Sequence, residues 1–220
     1  MFLHGYLSSG QSFFNQISHF SRDFDVFAPD LTGFGANKDM PYPYSLDDYI
    51  DSISWYMEEN EIINPFIVAH SFGGRIAIKG LATKRLSAKK LVLTGSAGLK
   101  PKWTIKKQVK KTCFSVLKRF VKKEKLNRFY SKDYQSLNQT MKSSFIKIIT
   151  EHLDDYLPLL QTKTLIINGR LDTETPLYMA KKLNKNIKNS TLKVFDGCGH
   201  FCFLDKPNKF NMEVREFLLS

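Results

Sequence analysis

Six short apolar runs, rich in β-branched and aromatic residues, limit what this chain can fold into: residues 1–3, 25–28, 65–69, 91–94, 164–167 and 192–195. Such runs are continuous rather than alternating, as in strands buried on both faces. Helical patterns fall between them. The clearest is 45–59, opened by Ser45 as N-cap with Asp48 three residues on. Strands alternating with helices predict an α/β fold, a mostly parallel sheet with helices on both faces. The alternation stops after 91–94. Residues 97–156 read as helices without a strand and predict an insertion, which leaves 1–96 and 157–220 as the core. In that insertion Ile105, Val109, Cys113, Val116, Leu117, Phe120 and Val121 recur at helical spacing, with lysines on the opposite face.

Charge follows the same division. Eleven basic residues between Lys100 and Leu126 face Glu124 alone, so this stretch carries +10 of the net +12. A basic helix at 100–126 is expected either to be solvated or to dock something anionic, a membrane surface or an acidic acyl carrier protein. Nucleic acid ranks lower, because no aromatic interleaving or recognition fold accompanies the charge. No apolar run nears the ~20 residues of a membrane span, and the first residues carry no export leader. Cys113, Cys198 and Cys202 are an odd number with no disulfide pattern. A soluble cytoplasmic protein with reduced thiols is the expectation.

The stretch "AHSFGG", Ala69 to Gly74, sets a serine where a strand pattern ends and a helical one starts. A serine hydroxyl attacks only when a base takes its proton, and the base works best when a third group fixes its tautomer. A strand-to-helix nucleophile elbow calls for Ser, then Asp, then His along the chain, each at a strand end. Ser71, Asp172 in "NGRLDTETP" and His200 in "GCGHF" satisfy that order.

With these motifs the chain resembles the α/β-hydrolase superfamily over nearly its whole length. "HGY" at 4–6 is similar to the family's oxyanion loop, "DLTGFG" at 30–35 to the loop after it, and "GRLDTETP" and "GCGHF" to its acid and base loops. The resemblance implies Ser71 as nucleophile, His200 as general base and then acid, and Asp172 as the orienting carboxylate. It implies an oxyanion hole from the backbone N–H groups of Tyr6 and Phe72. His4 is expected to structure the oxyanion loop and His70 to pack beside the elbow. Ala69 stands where the family's elbow usually opens on glycine. The family's sheet also has two strands ahead of the one at 1–3, so the first strands of the usual sheet are expected to be missing: either the chain is a fragment or its start is misplaced.

An insertion at 97–156 resembles the family's cap, which covers the serine and chooses the substrate. Trp103, Phe114, Phe120, Phe129 and Tyr130, with Leu7 from the core, would give an apolar pocket for an acyl chain or aromatic acid. No cofactor is expected: "GFGAN" is too short for a dinucleotide loop and no phosphate-binding loop occurs. Cys198, His200 and Cys202 make a C-x-H-x-C cluster, but a zinc site needs a fourth ligand and different spacing, so no metal is expected. The function expected is cleavage of a small-molecule carboxylic ester, or a thioester, through an acyl-enzyme on Ser71. Two alternatives stand beside it: a C–C bond hydrolase of aromatic ring-cleavage products, and a low-turnover ligand-binding or signalling protein in the same fold.

Overall fold

A computed structural model describes residues 1–102 and 137–220. Its framework is a sheet of five parallel strands standing side by side in chain order: β1 (Phe2–Leu3), β2 (Phe66–His70), β3 (Lys90–Thr94), β4 (Thr164–Gly169) and β5 (Ser190–Phe195). The helices are α1 (Phe14–Phe20), α2 (Leu46–Glu59), α3 (Phe72–Ala82), α4 (Gln139–Thr150), α5 (Leu177–Asn186), α6 (Cys202–Asp205) and α7 (Pro207–Leu219). This is the α/β-hydrolase fold anticipated above. Among the described residues no helix is long and apolar enough to cross a membrane.

The apolar runs are continuous because each strand feeds two cores. Phe2, Val68 and Val92 stand in register across β1 to β3 and pack with Leu165 and Ile167 against Phe13, Phe20, Phe210 and Val214 on the α1 and α7 side. Their neighbours Leu3, Ile67, Ala69, Leu91, Leu93 and Ile166 turn the other way, onto α2, α3 and α5. A fully buried aliphatic side chain contributes about 1.5–3 kcal/mol, so this double burial is the largest favourable term in the sheet.

Helix α2 starts as its sequence predicts. The Ser45 hydroxyl accepts from Asp48 N at 3.3 Å and the Asp48 carboxylate accepts from Ser45 N at 2.7 Å. Leu46, Tyr49, Ile50, Ile53 and Met57 then bury one face.

One predicted strand fails. Residues 25–28 run along the open edge of β1 and are not strand; Phe2 N donates to Phe27 O at 2.7 Å, the one backbone bond between them. β1 is two residues long and offers no ladder to extend. In the region 97–156 the described part holds α4 and a 3-10 turn at Asp154–Leu159.

Candidate active site

Ser71 is the single residue between β2 and α3, and its backbone has φ 48° and ψ −105°. A non-glycine residue there costs on the order of 1–3 kcal/mol and persists only where its surroundings force it. They do so here. Ser71 N donates to Thr94 O at 3.1 Å, and Ser71 O accepts from Gly74 N at 3.1 Å and Ala97 N at 3.2 Å. The glycine after Phe72 is needed for closeness: a Cβ on Gly73 would stand 2.3 Å from Leu3 O. That lets Gly73 N reach His4 O at 3.0 Å and ties the "HGY" loop to the first turn of α3.

Within the loop, His4 is fully buried. Its Nε2 accepts from Leu31 N at 2.9 Å and its Nδ1 donates to Gly5 O at 2.7 Å, while burial holds its pKa below the usual histidine range. The Tyr6 ring lies edge-on to Phe72, with centroids 5.6 Å apart, and the Tyr6 hydroxyl donates to Met141 O on α4 at 3.2 Å. Phe72 is the first residue of α3, so its N–H has no partner inside the helix.

Asp172 follows β4 and His200 follows β5. His200 Nδ1 donates to Asp172 Oδ2 at 2.9 Å, and the same oxygen accepts the Thr175 hydroxyl at 2.8 Å. Asp172 Oδ1 accepts from Glu174 N and Thr175 N, both at 2.9 Å. Burial pushes the Asp172 carboxyl up, but the His200 and Thr175 bonds outweigh it and hold the carboxyl below the usual range. A carboxylate accepting from Nδ1 fixes the proton there and leaves His200 Nε2 as an acceptor. Gly95, at φ 50°, makes room for this ring; a Cβ would stand 3.0 Å from His200 Nδ1.

Ser71 and His200 line one cavity of about 640 Å³. Tyr6, Leu7, Phe145 and Phe201 form part of its wall, the Tyr6 and Phe145 rings packing with centroids 5.1 Å apart, and Glu174 is the one carboxylate among its described lining residues, which include no lysine or arginine. A cavity of about 450 Å³ lies at the start of β1 and β2, between Phe2, Phe20 and Phe66, and holds none of the candidate residues.

The structure therefore brings together Ser71, Asp172, His200, Tyr6, Phe72 and Leu7. Trp103, Phe114 and Phe129, and most of the basic stretch 100–126, lie outside the described residues. Cys198 and Cys202 are buried in the core while His200 turns away to Asp172. Burial pushes both thiols up, Cys202 to about 12. Among the described residues no group could hold a metal ion. Thr175 and Phe145 went unrecognised in the sequence; the spacing of Thr175, three residues after an acid, is the local signal that could have found it.

The Alpha/beta hydrolase family is matched over residues 1–213. An AB hydrolase superfamily protein of Bacillus subtilis, YisY, is 27% identical, over 99% of this chain and 90% of its own. A 2-hydroxymuconate semialdehyde hydrolase of Pseudomonas sp. strain CF600 is 27% identical, over 88% of this chain and 76% of its own. An esterase from Exiguobacterium antarcticum superposes with TM-score 0.78 at 25% identity, covering 100% of this chain and 91% of that one.

Proposed function

Since the chain belongs to the Alpha/beta hydrolase family, we propose that it is a serine hydrolase cleaving a carboxylic ester through an acyl-enzyme on Ser71. The observation that carries this reading is the Asp172–His200 pair, 2.9 Å apart, whose histidine lines the same cavity as a serine on a strained elbow.

Ser71 Oγ attacks the ester carbonyl while His200 Nε2 takes its proton. The resulting imidazolium is stabilised by Asp172, which stays ionised. The negative oxygen turns to the N–H groups of Tyr6 and Phe72, each such donor being worth about 10²- to 10³-fold in rate. His200 returns the proton to the alcohol, which leaves. Water then attacks the acyl-enzyme with His200 again as base, and the acid is released. A thioester follows the same path with a thiol leaving.

Fluorophosphonate labelling with turnover of nitrophenyl esters tests the proposal. Wild type should label and turn over many times, and Ser71→Ala should lose both, with activity down by at least ~10⁴-fold. Labelling that survives in Ser71→Ala rejects Ser71 as nucleophile. One product per chain, or none, rejects an enzyme in favour of a ligand-binding protein.

A further inference from the structure

His70 ends β2, immediately before Ser71, and the chemistry above gives it no task. Its ring is 2% exposed and lies against His200, with centroids 4.7 Å apart, and against Phe201 and Phe203, each at 5.0 Å. His70 Nε2 is 3.2 Å from the carbonyl oxygen of His200. A carbonyl can only accept, so Nε2 carries the proton and donates. On its other side the ring closes on the "HGY" loop: a Cβ on Gly5 would stand 2.9 Å from His70 Nδ1. One imidazole thus reaches the base loop by a hydrogen bond and the oxyanion loop by contact, and is joined to the nucleophile by a peptide bond.

We propose that His70 is a positioning residue that clamps the main chain of His200 to the strand carrying Ser71, so that base and nucleophile keep a fixed separation. The inference rests on the reading of Ser71 and His200 as nucleophile and base. His200 is then held twice: Asp172 sets which way its ring faces, and His70 sets where that ring stands. The clamp must not carry charge, because a cation beside His200 would oppose the imidazolium formed there during turnover. Burial, and next the neighbouring His200, push the His70 pKa to about 3, against weaker upward pulls from its bond to His200 O and from Asp172; His4 adds a further downward push. His70 is therefore neutral throughout the working range.

Two substitutions separate a clamp from a filler. The amide of His70→Gln can reach the same carbonyl, whereas His70→Leu fills similar space without a donor. With nitrophenyl esters, His70→Gln should keep kcat within about 5-fold, and His70→Leu should lose about 10²-fold in kcat at nearly unchanged KM, the scale of a small misplacement of reacting groups. If the leucine variant does not fold, His70→Asn, whose shorter amide falls short of that carbonyl, replaces it with the same expected loss. Equal activities in the donor and non-donor variants would overturn the clamp. Histidine NMR reads the proposal independently of turnover. His70 should show the Nε2–H tautomer, and the Gly199–Phe201 amides should shift in His70→Leu but hold in His70→Gln. An Nδ1–H tautomer, or equal shifts, rejects the clamp even in a chain without hydrolase activity. Inactive wild type with the expected spectra rejects the reading of Ser71 alone.

Discussion

Asp172 accepts four hydrogen bonds, from His200, from the Thr175 hydroxyl and from two amides of its own loop. Such a carboxylate orients its histidine as well as charging the site. Asp172→Asn should therefore lower kcat by about 10⁴-fold in steady-state ester assays, because an amide can present N–H to His200 Nδ1 and invert its tautomer. Acidity acts on stability through the same residues. The carboxyl of Asp172 is held below 3.8, so its contribution is complete above that pH and is lost as pH falls through the lower folded value. His70 acts earlier. The unfolded chain takes up a proton near 6.5 that folded His70 refuses until about 3, so stability should fall across that window. The slope attributable to His70 is at most about 1.4 kcal/mol per pH unit. Urea titrations at successive pH values should find that slope reduced in His70→Gln, with His4 and the N-terminal amine, both also held low by burial, among the groups that supply the remainder. Ser71, Asp172 and His200 were legible in the sequence because each sits in a local motif at a strand end. Thr175 and the clamping role of His70 were not, since both depend on which way an imidazole turns once three loops meet.

At the level of elements, α3 does more than present the serine. Every residue of the helix is buried, including two cations. Arg75 Nη1 donates to Ile148 O at 2.8 Å and Glu151 O at 2.9 Å, the carbonyls at the end of α4. Lys79 bridges Asp47 of α2 at 2.7 Å and Glu151 at 2.6 Å. Burial lowers the Arg75 pKa to about 10, which still leaves a cation at neutral pH. Arg75→Met keeps the stem and removes the donors. Two carbonyls lose their partner, and the expected cost is on the order of 1–3 kcal/mol, read as a fall in urea midpoint. An unchanged midpoint would show that water replaces the guanidinium. Sequence periodicity could not have revealed this, because Arg75 and Lys79 look like a solvated face until α2 and α4 cover them. Residues 25–28 mislead in the opposite sense: their composition suits a strand, but a two-residue neighbour gives them nothing to pair with.

Across the whole molecule, the alternation of apolar runs with helical patterns was enough to foresee a parallel sheet with two cores, since each strand must be apolar on both faces. Loop geometry then follows, because all five strands run the same way and their ends deliver Ser71, Asp172 and His200 to one edge. The sheet has one further property: neighbours in space are neighbours in sequence, from β1 through to β5. As the chain leaves the ribosome, each new strand finds its partner already synthesised. At about 5–20 residues per second, roughly ten seconds separate the emergence of Ser71 from that of His200. Nascent chains arrested before β4 should already protect the Phe66–His70 amides from exchange, and open amides there would reject this order. With His200 read as the base, a newly made chain would thus spend its most exposed seconds with a serine that has no base, chemically silent until its last strand is in place.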